Sequence, residues 1–361
     1  MSDERALSRA LAAALAICLL ASCRFDLSSG FDTSPLVNFR YFWELYAREY
    51  ALFEEKGLDW EAVKARTEPF VREDMSEDEL FDLLAGMLYL LNDRHDRLSS
   101  PGRFANSGRA NEVVTLFSEV RATGYLDRAI VAGEGRIVHG RIASRPSIAY
   151  LRIGSFAPGH STGSMAARHS AWAEDIDGVL VDLIGEGGQA GAEALIVDLR
   201  DNQGGLLQDV AFIAGRFFGS ELVYALTREK SGPGPTDFSP PYELRILPAG
   251  RTVPPLPILV LTNELTTSAG EFMSLALLRR PDARQGGTRT AGAFSFRTLH
   301  ELPNGWTCTV SMQKVLSPEG VSYEGVGIVP DPARRWANSA AGIAAGRDEQ
   351  LEAAIADLGS H

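Results

Sequence analysis

The sequence has few cysteines, no long apolar run and no cluster of basic residues, and each shortage excludes a class of protein. Three cysteines among 361 residues are too few for a disulfide framework. The formal net charge is −12 and no run of Lys and Arg follows the first segment, so we expect no nucleic-acid partner. With 45% hydrophobic and 23% charged residues, the composition is that of a folded globular protein.

Metal and cofactor signals are also lacking. No Cys/His cluster has the spacing of metal ligands, and we expect neither a metal nor a cofactor. Cys308 stands in the strand-like stretch of residues 306–310, which indicates a packed thiol rather than a nucleophile.

The N-terminus has the features of a bacterial lipoprotein signal peptide. Two arginines precede an apolar run over residues 10–20, which has the size of a signal-peptide core and is about half as long as a membrane-spanning helix. The run ends in LASC, which resembles the lipobox whose cysteine is lipidated after cleavage. A plain signal peptide or a buried helix is the alternative. We expect removal of residues 1–22, a lipid anchor on Cys23, and a location outside the cytoplasm, anchored to a membrane of the bacterial cell envelope.

The remaining chain divides into a helical part and an α/β part. After a polar tether at 23–36, apolar and aromatic residues recur at helical spacing over 37–95, which predicts an N-terminal helical domain. Residues 96–147 form a small β-rich segment. Over 148–361, apolar strands alternate with helices, a pattern that predicts an α/β core with a parallel sheet.

Finer patterns give three local expectations. Ser76 followed by Glu79 predicts a capping box at the start of a helix. Residues 113–117 are apolar and β-branched, which predicts a strand. Residues 231–254 are rich in Pro and Gly, which predicts a long surface loop.

Ser268 is the first candidate catalytic residue. It lies between the apolar strand pattern of residues 257–261 and a predicted helix that begins at Ala269. At such a junction the free N–H groups of the helix point towards any negative charge that develops beside the hydroxyl, as an acyl-transfer nucleophile requires. On this segment alone, a plain helix N-cap is the better explanation of the serine.

Two glycine-rich segments supply further candidates. Residues 198–205 read DLRDNQGG, and a Gly pair after a buried strand lets the backbone approach a ligand and offer an N–H. Residues 323–331 read YEGVGIVPD, a glycine-rich strand exit that carries Glu324. Each segment alone is an ordinary turn.

Four motifs in the same order resemble those of a known family. They are LxDxH, DLRxNxGG, TxSAxE and EGxGxxPD, which stand here as LNDRH at 91–95, DLRDNQGG at 198–205, TTSAGE at 266–271 and EGVGIVPD at 324–331. The chain thereby resembles the serine peptidases that group C-terminal processing proteases, the tricorn core and interphotoreceptor retinoid-binding protein. The resemblance runs from about residue 36 to 360 and implies a ClpP/crotonase-like α/β core.

The resemblance also implies the catalytic residues. Processing proteases use a lysine base after the serine, but this chain has Ala293 at that position and no lysine around it. The tricorn-like branch uses His and Glu instead, and the matching residues here are His95 and Glu324. The resemblance therefore implies a triad in which Ser268 is the nucleophile, His95 the general base and Glu324 the acid that orients it. Taken singly, His95 could be a polar turn residue and Glu324 a surface acid.

An oxyanion hole and the size of the chain complete the expectations. The N–H groups of Ala269 and Gly205 would form the hole, with Gly204 as a weaker candidate. Many relatives insert a PDZ domain between the histidine motif and the first core strand. Residues 96–147 are too few for a complete one, so we expect none.

The sequence thus predicts a lipid-anchored serine peptidase that acts on a peptide or protein substrate. The alternative on the same scaffold is a non-catalytic binding protein for apolar ligands or peptide C-termini. Retention of Ser268, His95 and Glu324 together favours the enzyme, because a binding protein gains nothing from all three. The sequence leaves the substrate and the oligomeric state open.

Overall fold

The computed structural model describes residues 32–157, 165–185 and 191–359. The predicted signal peptide, the lipidation site Cys23 and most of the tether lie outside the described residues. Within the described ranges, no helix is both long enough and apolar enough to cross a membrane.

The helices come mainly in two groups, one before residue 92 and one in the second half of the chain. They are α1 (Pro35–Glu49), α2 (Phe53–Lys56), α3 (Trp60–Thr67), α4 (Glu77–Leu91), α5 (Glu119–Thr123), α6 (Met165–Ile184), α7 (Leu207–Ala214), α8 (Ala269–Leu277), α9 (Ala340–Ala344) and α10 (Glu349–Leu358). Short 3₁₀ turns cover Glu68–Phe70, Arg109–Glu112, Gly133–Gly135, Gly215–Phe217 and Pro332–Arg334.

The strands begin where the first helical group ends. They are β1 (Arg97–Ser100), β2 (Arg103–Asn106), β3 (Ile130–Ala132), β4 (Ile137–Ile142), β5 (Arg145–Ile153), β6 (Ala194–Asp198), β7 (Leu222–Glu229), β8 (Tyr242–Ile246), β9 (Ile258–Thr262), β10 (Ala283–Gly287), β11 (Arg297–Glu301), β12 (Thr307–Ser311) and β13 (Gln313–Leu316).

The first four helices pack around an aromatic core. Helix α4 begins with the predicted capping box: the Ser76 hydroxyl accepts from the Glu79 N–H at 3.3 Å, and the Glu79 carboxylate accepts from the Ser76 N–H at 2.9 Å. Three aromatic residues of α1 recur at three- and four-residue spacing and point inward. Phe39, Phe42 and Tyr46 are completely buried, so this stripe is core.

The main sheet has six strands in the order β10-β9-β6-β5-β4-β3. The pairs from β10 to β5 are parallel, and β4 and β3 continue the sheet antiparallel. Strand β6 is buried throughout because helices cover both faces. Leu195 and Val197 pack with α6, α7 and α8, whereas Ile196 between them packs with α10. This arrangement explains the continuous apolar run and confirms the predicted α/β core.

A second sheet joins distant parts of the chain. Its order is β11-β12-β1-β2, so the strands after the histidine motif pair with strands near the C-terminus. Strands β3 and β4, in contrast, belong to the main sheet. Residues 96–147 therefore divide between two sheets. Cys308 lies on β12 opposite Leu98, where burial raises the pKa of its thiol to about 12.

Two local expectations were wrong. Residues 113–117 form no strand, and Val114 and Leu116 are exposed, because no neighbouring strand edge takes up this apolar run. The predicted loop at 231–254 contains β8, which pairs with β7 in a three-stranded sheet of order β13-β7-β8. The segment is rich in Pro and Gly, but apolar and charged residues alternate over residues 242–246, which suits an antiparallel strand.

Candidate functional site

Ser268 has a strained backbone conformation at the junction between β9 and α8. Its φ is 54° and its ψ is −122°, a region that non-glycine residues rarely adopt. The carbonyl oxygen of Ser268 accepts the first helical N–H bonds, from Glu271 at 2.8 Å and from Phe272 at 3.0 Å. Such strain persists only where surrounding contacts impose it, and it is common at functional sites.

The buried carboxylate of Glu271 supplies much of that constraint. It accepts hydrogen bonds from the N–H groups of Ser268 at 3.2 Å, Gly292 at 2.7 Å and Ala293 at 2.8 Å, and from the Thr290 hydroxyl at 2.5 Å. The Ser268 N–H also donates to the Ala293 carbonyl at 3.1 Å. Burial raises the pKa of Glu271 to about 7. We assigned Glu271 no role from the sequence, although its third position in the helix is a signal for a carboxylate that bonds back to the turn.

The turn after β6 lies directly against Ser268. The Asn202 carbonyl accepts the Thr267 N–H at 2.9 Å, and its side-chain oxygen accepts the Gly204 N–H at 2.8 Å. A Cβ on Gly204 would lie 2.8 Å from the Cβ of Ser268 and 3.0 Å from the Ala269 nitrogen. This position therefore requires glycine.

Two backbone N–H groups beside the serine remain unbonded within the described residues, those of Ala269 and Gly205. Gly205 has φ 140°, and a Cβ there would lie 1.9 Å from the carbonyl carbon of Phe156. The N–H of Gly204, in contrast, is already bonded to Asn202. The geometry leaves Ala269 and Gly205 as the available donors.

His95 reaches the same cavity as Ser268 from the end of α4. Asn92 ends that helix in a left-handed conformation, and the His95 N–H then donates to the Asp93 carboxylate at 2.8 Å. The His95 and Ser268 side chains both line a cavity of about 590 Å³. The Nδ1 atom of His95 is buried and has no hydrogen-bond partner within the described residues. Nε2 is thus the ring nitrogen available for the serine proton.

Burial is the main reason that the pKa of His95 falls to about 4. The negative charge of Asp93 opposes this shift, while the positive charges of Arg297, Arg97 and Lys56 add to it. The imidazole is therefore neutral at neutral pH, as a general base must be.

Glu324 lies in a neighbouring buried cluster, and no hydrogen bond or ion pair joins it to His95 in the described part of the chain. Its carboxylate accepts from the Phe294 N–H at 2.9 Å and from the Lys56 ammonium at 3.4 Å. Burial and the charge of Asp93 raise the pKa of Glu324 to about 8, although Lys56 opposes the shift. The Asp93 carboxylate is closer to the base, with Oδ1 3.9 Å from Nδ1 of His95.

Lys56 and Tyr50, both from the helical part, complete this cluster. Lys56 ends α2, and its ammonium also donates to the Asn92 carbonyl at 3.2 Å. Burial lowers the pKa of Lys56, but the charges of Glu324 and Asp93 outweigh that effect and raise it. The Tyr50 hydroxyl donates to the Asp93 carboxylate at 3.2 Å. Nothing in the sequence indicated Lys56, because a lysine at the end of a four-residue helix is ordinarily a surface residue.

These groups can carry out acyl transfer. A hydroxyl and a neutral imidazole share one cavity, and two unbonded N–H groups lie at the serine. Apolar residues also line the cavity and would receive a substrate side chain. They are Leu206, Leu207, Ala211, Tyr224, Leu244, Phe272 and Phe296.

The chain is similar to known proteins in sequence and in fold. In sequence, the chain is 32% identical over 142 residues to a carboxyl-terminal-processing protease of Picosynechococcus, covering 39% of this chain and 32% of that protein. A solved structure of a Parabacteroides merdae protein assigned as a peptidase is 29% identical, with a TM-score of 0.78 over 91% of this chain and 97% of that one. The structure of CPAF in complex with lactacystin shares the fold, with a TM-score of 0.65 at 15% identity, over 90% of this chain and 97% of that one.

Family models agree with these likenesses. The chain spans only about a third of the length of the curated relatives that it matches. Residues 31–89 match the tricorn protease C1 domain. Residues 147–333, more than half of the chain, match the model of peptidase family S41 and include the strained serine and the Gly204–Gly205 turn. The chain therefore belongs to peptidase family S41.

Proposed function

We propose that this protein is a serine peptidase with Ser268 as its nucleophile and His95 as its general base. One observation carries the proposal: a serine in a strained strand-to-helix turn shares a cavity with a neutral, buried histidine. Family membership supports the same reaction class. The substrate is a peptide or protein.

The reaction follows from the positions of these groups. His95 takes the proton of the Ser268 hydroxyl as the oxygen attacks the carbonyl carbon of the substrate. The N–H groups of Ala269 and Gly205 stabilise the negative oxygen of the tetrahedral intermediate. His95 then gives the proton to the leaving amine, and it activates a water molecule that hydrolyses the acyl-enzyme.

Glu324 is the proposed third member, as the acid that orients His95. Its burial and its position in the EGVGIVPD segment support this role. Catalytic hydrogen bonds often tighten only in the substrate complex, so the gap to His95 is compatible with the assignment. The 3.9 Å approach of Asp93 to Nδ1 makes Asp93 the second candidate for the same role.

The location of the enzyme is a further part of the proposal. The LASC segment at residues 20–23 supports cleavage before Cys23 and lipidation of that cysteine. The peptidase would then act outside the cytoplasm, attached to a membrane of the bacterial cell envelope.

A binding protein without catalysis is the second candidate, because seven apolar side chains line the cavity. The seven apolar side chains described above would suit an apolar ligand as well as a substrate side chain. The two functions differ in whether Ser268 reacts.

A fluorophosphonate probe tests the proposal. The wild type should be labelled covalently, Ser268→Ala should not be labelled, and Ser295→Ala should be labelled like the wild type. Ser295 is the matched control because it lines the same cavity, but its hydroxyl accepts the Gln313 N–H at 3.1 Å and donates to the Phe296 carbonyl at 3.2 Å. Failure to label the folded wild type would favour the binding protein.

A further inference from the structure

Four arginines line the cavity that holds Ser268 and His95, and no Asp or Glu among the described residues lines it. They are Arg94, Arg97, Arg245 and Arg297. The chain as a whole has a net charge of −12, so its general surface charge does not explain a cavity with only positive charges. Arg94 also lines a second cavity, the one that holds Glu324, and its Nε is buried without a partner in the described residues. The other three arginines differ in their partners.

Arg245 is already neutralised, but Arg97 and Arg297 are not. Arg245 forms ion pairs with Glu221 and Glu243. Neither the Arg97 nor the Arg297 guanidinium makes an ion pair or hydrogen bond within the described ranges. The Nε of Arg97 is buried without a hydrogen-bond partner, although the guanidinium lies 5.8 Å from the centre of the Phe104 ring. A buried guanidinium donor without an acceptor is costly, so a site of this kind gains free energy when an anion binds.

The sheet holds Arg97 and Arg297 on one face. Arg97 pairs with Thr309 of β12, and Arg297 pairs with Ser311 of the same strand. Since Thr309 and Ser311 are two residues apart, the two arginines extend from the same side of the sheet. Burial and the Arg297 charge lower the pKa of the Arg97 guanidinium, which agrees with two like charges held close together.

The arginine pair also lies on the His95 side of the cavity. Arg97 follows His95 by two residues, and both arginine charges act on the imidazole. His95 must give a proton to the leaving amine, so the part of a peptide that follows the cleaved bond lies on this side.

We propose that Arg97 and Arg297 form a carboxylate subsite, which selects peptides with a carboxylate on the C-terminal side of the cleaved bond. Two planar guanidinium groups on one face can bind a carboxylate through several charge-assisted hydrogen bonds. The carboxylate comes from an acidic side chain or from the free C-terminus of the peptide. The selection for one side of the cleaved bond rests on the proposed peptidase function. Binding of the carboxylate itself depends only on the two arginines.

The test measures the binding of peptides to the Ser268→Ala variant, so that the result does not depend on hydrolysis. Four short fluorescein-labelled peptides of otherwise equal sequence carry Glu or Gln near the C-terminal end, with either a free carboxylate or an amide at the terminus. We expect at least one carboxylate to tighten binding by about tenfold at low salt, as charge-assisted hydrogen bonds do, and the gain to shrink at high salt. A gain with Glu identifies side chains, and a gain with the free acid identifies the terminus.

Variants assign the effect to the arginine pair. In the Ser268→Ala background, Arg297→Gln and Arg97→Gln should each reduce the carboxylate preference, and the double variant should bring the ratio close to one. Arg297 is exposed, so its replacement does not threaten folding. The control Arg66→Gln removes an exposed charge on α3 outside the cavity and should keep the preference.

Three results would overturn the inference: equal binding of all four peptides, a preference that persists in the double variant, or no binding at all. None of them bears on the peptidase proposal, which fluorophosphonate labelling of the wild type tests separately.

Discussion

The Lys56 ammonium lies 3.4 Å from the Glu324 carboxylate, although 268 residues separate the two in the chain. Both side chains are almost fully buried. The contact connects the end of α2 in the helical part with the glycine-rich segment after β13. The helical part thus supplies a charge to the group that we propose as the third triad member, and its loss should change the site as well as the fold.

Glu324 should make the stability of the protein depend on pH. Its folded-state pKa of about 8 is above the ordinary value of 4.5, so its contribution is fully present below pH 4.5 and is lost as the pH rises through about 8. Glu324→Gln should reduce this fall in the free energy of unfolding by on the order of 5 kcal/mol, since each unit of pKa difference corresponds to about 1.4 kcal/mol. Urea unfolding at several pH values measures the effect. Glu301→Gln, which removes an exposed carboxylate of β11, should leave the pH dependence as in the wild type; equal slopes for wild type and Glu324→Gln would contradict the prediction.

Substitution of the two candidate acids should identify the one that orients His95. Above pH 8, where Glu324 is ionised, Glu324→Gln removes the charge that stabilises the imidazolium. An equivalent change in a known triad lowers kcat by about 10⁴, so we expect a large loss in kcat with little change in KM at this pH. Adding Ser268→Ala should increase the loss very little, because triad members act as a unit. Near-normal turnover of Glu324→Gln together with a large loss in Asp93→Asn would transfer the role to Asp93, whose oxygen lies 3.9 Å from Nδ1.

Activity should depend on pH through His95. The imidazole acts as a base only when it is deprotonated, so kcat/KM should fall as the pH drops through about 4, well below the ordinary value of 6.5. His95→Ala should lose several orders of magnitude in kcat. Full activity of His95→Ala, or a rise only in the alkaline range where lysine titrates, would show that another group is the base.

A second inflection in the pH dependence of kcat/KM, near pH 8, would come from the ionisation of Glu324. If the negative form of this carboxylate is needed to orient His95, kcat/KM should rise as Glu324 ionises through about 8, and the rise should vanish in Glu324→Gln. A wild-type profile without this inflection would show that the charge of Glu324 is not required.

The sequence predicted the α/β core well because its strongest signals are local. Strands β6 and β9 are continuous apolar runs, and such runs indicate burial on both faces wherever they occur. The predictions for residues 113–117 and for β8 were wrong because strand formation depends on a partner edge, which the local sequence does not specify.

The sequence motifs predicted some residues of the candidate site. The contacts that depend on packing between distant parts of the chain were missed. Ser268 and His95 lie in distinct motifs, and both line one cavity. The Lys56–Glu324 contact and the Arg97–Arg297 pair arise only when strands and helices from both ends of the chain meet. No local pattern encodes such contacts.

The lipid anchor is testable in a bacterial host. Because LASC at residues 20–23 resembles a lipobox, the protein should partition with membranes and incorporate labelled palmitate. Cys23→Ser should abolish labelling and leave either the unprocessed precursor or a released protein. Cys308→Ser, which replaces a buried cysteine of β12, should keep the label. An unlabelled and fully soluble wild type would contradict the proposal.

Gly204 should be essential for catalysis for a reason that backbone strain alone does not explain. Its φ is +99°, and an added Cβ would meet Ser268 at 2.8 Å and the Ala269 nitrogen at 3.0 Å. Gly204→Ala should therefore displace the serine or cover the Ala269 N–H, the proposed oxyanion donor. Because removal of one such donor typically costs 10²–10³ in kcat, we expect a loss of at least about 100-fold in turnover and in the rate of fluorophosphonate labelling.

Gly320→Ala is the control that separates the steric effect of a Cβ at position 204 from the backbone strain of a positive φ. Gly320 has a similar φ of +83°, but no atom lies within 4 Å of its added Cβ. Both variants should lose about 1–2 kcal/mol of stability from the left-handed backbone, as thermal melts would show, but only Gly204→Ala should lose activity. Equal activity losses in the two variants would assign the effect to general destabilisation. Near-normal labelling of Gly204→Ala would mean that the Ala269 N–H remains free, and the oxyanion hole would then have to lie elsewhere.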